Sequence, residues 1–354
     1  MNDHQQSVLL AIIPFALFTG CLLLSYLAKK PSRALWLFRL CALVEGCLVF
    51  SYIFCTDYVA LLIITFFIGF FNGAPFALIE GYLVPIIKEK KGNYALVRLF
   101  GTLGYIVSLG LGFFALRYFP VSNTYYLSTA LFLASLGVSF FLRERAPEES
   151  IQPIKEVRFT KILTPSCIFY LLFAALLYGA YNASGYQLPA LLNQLGFADE
   201  HYSLARCMAV VTELVFLLLA PFVARLLKKK VALFLACFFI MFATTFPFWS
   251  SDSWTIAYGN LISGHVGKAL LFAFEALWLS EIFGDSALSW ILMAKTGAYN
   301  LISAVLNLSG NYLSRTWTYH GYYLFLLGLE LIGFVFFVLV AMRSRKGLLK
   351  PETE

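Results

Sequence analysis

Apolar runs of about twenty residues follow one another along the whole chain, separated mostly by short polar turns. That spacing leaves few folds open. About twenty apolar residues is what an α-helix needs to cross a bilayer, and in lipid each segment must satisfy its own backbone N–H and C=O groups. Eleven spans can be read, at 7–28, 34–55, 58–87, 94–118, 123–142, 163–193, 204–227, 231–250, 254–283, 288–315 and 321–343. The predicted class is all-α, a polytopic helical membrane protein. Of 354 residues 60% are apolar and 13% charged, with mean hydropathy +0.80, more than a soluble domain can hide. The 18% aromatic content fits lipid-facing Phe with interfacial Tyr and Trp.

The net charge of +7 sits in short loops, so it reads as a topology signal and not as a nucleic-acid footprint. Lys29, Lys30 and Arg33 mark a cytoplasmic loop, Asp57 an external one, and Lys88, Lys90 and Lys91 a cytoplasmic one again. Arg143, Arg145, Lys155, Arg158 and Lys161 place the long loop 143–162 inside; Asp199 and Glu200 fall outside; Arg225, Lys228–Lys230, Arg343, Arg345 and Lys346 fall inside. The expected N-terminus is external and the C-terminus cytoplasmic. MNDHQQ lacks the basic start of a cleavable signal peptide. The seven cysteines show no CxxC and no disulfide or metal framework, so neither a metal nor a cofactor is expected.

The segment 15–38 echoes 214–235, each reading helix, basic turn, helix. One more span, 163–193, precedes the second copy, and none precedes the first. The chain therefore divides as five spans in 1–142, a linker 143–162, six spans in 163–345 and a tail 346–354. Two such halves are how facilitator transporters are built. A gene start set too far downstream, a truncated gene, and a protein that works with eleven spans all account for the odd number.

Within this frame the informative residues are the charges inside spans, because each costs roughly 2.5–3.5 kcal/mol at the bilayer centre. Residues 69–105, GFFNGAPFALIEGYLVPIIKEKKGNYALVRLFGTLGY, place Glu80 and Arg98 nine positions either side of residue 89. An antiparallel hairpin puts them at one depth, either as a structural ion pair or as a polar-solute site. Arg98, Thr102 and Tyr105 share a helix face, while Gly101, Gly104, Ser108 and Gly112 line an adjacent face suited to close helix packing. Glu45 stands mid-span as a candidate proton site or a charge met by a neighbouring helix. Asn182, Ser184, Gln187 and Pro189 interrupt the sixth span, and Glu213 is the lone carboxylate deep in the seventh. His265, Lys268 and Glu275 share one face of the ninth, with a Lys268–Glu275 interaction over two turns and a bend near Gly264 and Gly267 as the structural expectation. No nucleophile–base pair and no HExxH spacing appears, so an enzyme is not expected.

GAP at 73–75, YALVRLFGTLGY at 94–105 and the 18-residue spacing of Glu80 and Arg98 resemble the lactose permease-like branch of the major facilitator superfamily. The resemblance implies a secondary transporter of the cytoplasmic (inner) membrane, a permease moving a small polar solute by alternating access. A sugar or glycoside is the implied solute, with a proton or another cation as the candidate coupling ion. It implies that Glu80 and Arg98 bind sugar, that Tyr105 stands at the family's stacking Trp, and that Glu213 and His265 match sugar-site positions. The substrate-binding set is then Glu80, Arg98, Thr102, Tyr105, Asn182, Glu213 and His265; the coupling candidates are Glu45, Glu213, Lys268 and Glu275. The departures lie in the proton machinery. Lys268 replaces the proton-carrying Glu, the paired Asp and Lys fall at Asn182 and Ala298, and a second Asp falls at Gly185. The competing readings are a truncated or non-transporting protein on the same scaffold, or a facilitator of another solute such as a nucleoside.

Overall fold

The computed structural model describes residues 3–27, 31–73, 75, 78, 94–142, 164–283 and 285–345, in two compact units, Met1–Gln152 and Pro153–Glu354. Every regular element among the described residues is helical, with no strand among them. The first unit holds α1 (Asp3–Leu27), α2 (Pro31–Ser51), α3 (Tyr58–Asn72), α4 (Tyr94–Tyr118) and α5 (Ser122–Ser139). The second holds α6 (Pro165–Phe173), a π-helical turn (Ala174–Tyr178), α7 (Gly179–Gln194), α8 (Asp199–Leu226), α9 (Lys229–Trp249), α10 (Ser253–Phe283) and α11 (Asp285–Arg345). Six stretches among the described residues are long and apolar enough to cross a membrane, from Leu35–Phe54 to Thr316–Arg343. α10, at 31 residues, carries Lys268, Glu275 and Glu281 along its length.

Helix ends follow from local chemistry. Asp57 caps α3 by accepting from the Ala60 amide at 3.0 Å, and Thr164 caps α6 ahead of Pro165 by accepting from the Cys167 amide at 3.3 Å. α8 opens on Asp199 and Glu200 and closes with Arg225 in its last turn, matching the helix dipole at both ends. Before α10, Asp252 accepts from the amide and hydroxyl of Thr255 at 2.8 and 2.7 Å, and these bonds hold its carboxyl below the usual carboxylate range. Arg39 of α2 donates to the Ser139 and Leu142 carbonyls at 3.1 and 3.2 Å, capping the C-terminal end of α5.

Without a hydrophobic drive between helices in lipid, close approach depends on small residues. α1 and α3 meet in this way. A Cβ built at Gly20 would lie 1.8 Å from the Phe70 carbonyl oxygen, one at Gly69 2.9 Å from the Ala16 Cβ, and one at Gly73 2.8 Å from the Cys21 sulfur. Ala16 and Gly20, like Gly69 and Gly73, are four apart, so each helix offers one small-residue stripe. The expected glycine face of α4 behaves differently: no described atom comes within 4 Å of a Cβ at Gly101 or Gly104. Among the described residues of this unit, the close small-residue contacts lie between α1 and α3. Large apolar side chains such as Phe100, Phe141 and Phe54 point outward, 72%, 87% and 70% exposed, as lipid-facing residues do.

In the second unit α9 packs on α10, α8 on α10, and α6 and α7 on α11. Trp278, Tyr170, Phe173, Leu233, Ile240 and Phe337 are buried in one cluster, and Leu188, Leu192, Tyr322 and Tyr323 in another. α10 is continuous through its glycines, and the missing side chains admit neighbours: Cβ atoms at Gly264 and Gly267 would meet the Tyr181 hydroxyl at 1.8 Å and the Ala236 carbonyl at 2.7 Å. α11 is broken at Thr318, where φ is 64° and ψ 166°. That backbone region is essentially confined to glycine and costs about 1–3 kcal/mol for other residues. Thr318 is exposed, so Thr318→Gly should relieve strain without losing a contact, raising the melting temperature of detergent-purified protein. A lowered value would show that the hydroxyl or methyl group anchors the turn.

Candidate functional site

Buried polar groups in the second unit fall into two clusters. In the first, α8 presents Arg206 and Glu213 seven residues apart on one face, and α10 presents His265 and Lys268. His265 Nδ1 lies 2.6 Å from Glu213 Oε2, with side chains only 7% and 13% exposed. Arg206 Nη1 donates to the Tyr202 hydroxyl at 3.2 Å. The Lys268 ammonium stands 4.9 Å from the centre of the Tyr181 ring, which α7 lays against Gly264. Asn182, next to Tyr181, is half-buried. The carboxylate and imidazole bond each other directly and can meet hydroxyls only through their remaining polar atoms, with two cationic side chains near them.

The second cluster differs from the sequence expectation. Glu275 does not interact with Lys268. Its Oε2 accepts from Lys295 of α11 at 2.5 Å, and its Oε1 accepts from the hydroxyls of Tyr170 and Tyr178 at 2.7 and 2.8 Å. Positions 268 and 275 are about 10.5 Å apart along their helix at 1.5 Å per residue, while Lys295 comes from a packed neighbour. The Lys295 ammonium also lies 4.4 Å from the Tyr178 ring centre. Tyr170 and Tyr178 are eight apart, and the π-helical turn between them takes up one extra residue. Tyr178 thus stands where an i+7 residue would, on the face of Tyr170. Here a carboxylate is fully bonded by a cation and two hydroxyls, an arrangement that holds charge in place.

Two further buried carboxyls lack a cation among the described residues. Glu330 accepts from Thr244 at 2.7 Å and has no partner at Oε2; Glu45 of α2, 1% exposed, lies by Asn72 of α3, and its Oε1 is unpartnered. Of the first unit's expected site, Glu80 and the Arg98 side chain lie outside the described residues. Thr102 is half-buried, and Tyr105 is 42% exposed on α4. Sequence reasoning passed over Lys295, Tyr170, Tyr178, Arg206 and Glu330. Among the described residues no group of three His, Cys, Asp or Glu could hold a metal ion.

The same chain path is found in solved transporters. The crystal structure titled nucleoside transporter NupG matches with TM-score 0.74 at 14% identity, covering 96% of this chain and 91% of that one. The D-xylose-proton symporter matches with TM-score 0.71 at 15% identity, covering 100% and 90%. No curated protein sequence matches the chain. The fold is that of the facilitator-type secondary transporters, which makes this chain a multi-pass membrane protein of the solute-transporter class. Residues 1–299 match the MFS_1 like family, and the chain belongs to it.

Proposed function

We propose that this transporter moves a sugar or sugar-like solute across the cytoplasmic membrane by alternating access, with a cytoplasmic C-terminus and, for the chain as given, an external N-terminus. The observation that carries this reading is the Glu213–His265 contact, a carboxylate and an imidazole held 2.6 Å apart on two apolar helices. Such a pair binds hydroxyls in both directions, since the carboxylate accepts and the ring donates or accepts. Intramembrane ionisable groups mark solute or ion pathways. Glu80, Arg98, Thr102 and Tyr105 remain solute-binding candidates in this proposal. A guanidinium can hold two solute oxygens in fixed geometry, which an ammonium cannot.

Glu275, committed to three donors, is a poor proton carrier. Coupling therefore falls to Glu213 with His265, or to Glu45. The test is uptake of radiolabelled sugars and uridine by vesicles, with internal pH recorded. Arg98→Lys should lower uptake by about tenfold or more with the protein still inserted, and Glu213→Gln should abolish solute-driven proton movement. Full uptake by Arg98→Lys would reduce that residue to a structural charge. Equilibration of solute without any proton movement would establish facilitation, and a preference for uridine would replace sugar with nucleoside.

A further inference from the structure

We infer that Glu330 holds a permanent proton: it stands inside the second unit as a neutral carboxylic acid, and that proton ties α11 to Thr244 of α9. This proton site is separate from the solute site and does not depend on which solute is carried. Glu330 lies on the part of α11 that follows the break at Thr318, within the apolar stretch Thr316–Arg343. Glu330 and Thr244 are both 0% exposed. Among the described residues Glu330 forms no ion pair, and no cation is close enough for its charge to act on it. The cations of the packed helices are engaged elsewhere. Lys295 bonds Glu275, Lys268 meets the Tyr181 face and the charge of Glu213, Lys229 pairs with Glu281, and Lys230 donates to the Ala341 carbonyl. From α7 the phenol of Tyr181 is near enough to feel a charge at Glu330. Tyr170 of α6, Tyr178 of the π-helical turn and Cys237 of α9 lie by Glu275 instead.

Counting hydrogens favours the acid. The Thr244 hydroxyl has one hydrogen, and its oxygen lies 2.7 Å from Glu330 Oε1 and 3.5 Å from the Ile240 carbonyl oxygen. With Glu330 ionised, that single hydrogen is all the carboxylate receives, and Oε2 shares the charge with no hydrogen-bond partner. A buried charge with neither a cation nor a full set of donors is so costly that the group takes up a proton instead. With Glu330 protonated, the carboxyl O–H donates to the Thr244 oxygen, and Thr244 turns its own hydrogen to the Ile240 carbonyl. Both hydrogens then have acceptors, and the oxygen left bare is uncharged. Such a bond holds two helices together where lipid offers no drive for association. Glu330, Thr244, Ile240 and Tyr181 all belong to the second unit. Rocking of one half against the other therefore leaves these surroundings, and the proton, in place.

The experiment is infrared spectroscopy of the purified full chain in the carbonyl region of carboxylic acids, at about pH 6 and about pH 9, where an ordinary glutamate is ionised. Wild type is compared with Glu330→Gln and Thr244→Val, and melting temperatures establish that each variant is folded. The expected result is an acid carbonyl band in wild type at both pH values that is missing from Glu330→Gln. In Thr244→Val the band should persist and move to higher frequency, because the acid has lost the oxygen it donates to. Loss of a carboxylate band in place of an acid band in Glu330→Gln would overturn the inference, as would an acid band that disappears by the higher pH. Thr244→Val reads the bond without altering the carboxyl, so an acid region unshifted in that variant would overturn it even with Glu330→Gln unfolded.

Discussion

Lys295→Ala is expected to destabilise the second unit by about 3–5 kcal/mol, the cost of leaving a buried carboxylate without its cation. Glu275 is 4% exposed and Lys295 8%, so water cannot replace the lost charge without opening the packing of α6, α10 and α11. The two tyrosine hydroxyls would remain, and they stabilise a carboxylate by hydrogen bonds without neutralising it. The double variant Glu275→Gln with Lys295→Met should recover most of the loss, because a buried pair replaced by neutral groups of similar volume is often nearly neutral in stability. Thermal unfolding in detergent reads both. An unchanged melting temperature in Lys295→Ala would show that the tyrosines alone hold Glu275.

Gly20→Ala is the second large effect. A single methyl group there would sit 1.8 Å from the Phe70 carbonyl oxygen, which is backbone and cannot swing aside. Forcing α1 and α3 apart loses the contacts of Gly69 and Gly73 with Ala16 and Cys21, so the cost should exceed the about 1–3 kcal/mol of ordinary overpacking. Gly101→Ala is the control. No described atom lies within 4 Å of its Cβ, and the change should be neutral or gain up to about 1 kcal/mol from helix propensity. Equal loss of folded protein in both variants, measured by size exclusion after solubilisation, would mean that the seam is not what holds these helices.

The fold was legible because lipid permits few alternatives: a run of apolar residues long enough to cross has to become a helix. The glycine faces were harder to read, since a stripe of small residues permits close approach but does not name the partner. That is why the stripe on α4 meets no described neighbour at Gly101 or Gly104 while the one on α3 meets α1. For the polar residues, helix periodicity put His265 and Lys268 on one face but could not say that Glu213 of α8 lies opposite. It also tied Lys268 to Glu275, since it knows only one helix at a time. Lys295 left a usable signal nonetheless. Glu275 and Lys295 lie ten positions either side of residue 285, where α11 begins, the same symmetry that relates Glu80 and Arg98 about residue 89. Tyr170 and Tyr178 had none, because their spacing meets one carboxylate only across a turn wound wider than the α-helix.

That wide turn also bears on how the gene can change in length. Elsewhere in these helices, removing one codon swings every later side chain of the helix by about 100°, turning lipid-facing residues inward and the interior ones out. Between Ala174 and Tyr178 the chain already carries one residue more than the α-helix accommodates. Losing a codon there lets the turn close to α geometry while α6 and α7 keep their phase. The segment is thus a place where an insertion could have entered the sequence without scrambling either helix, and where it could leave again.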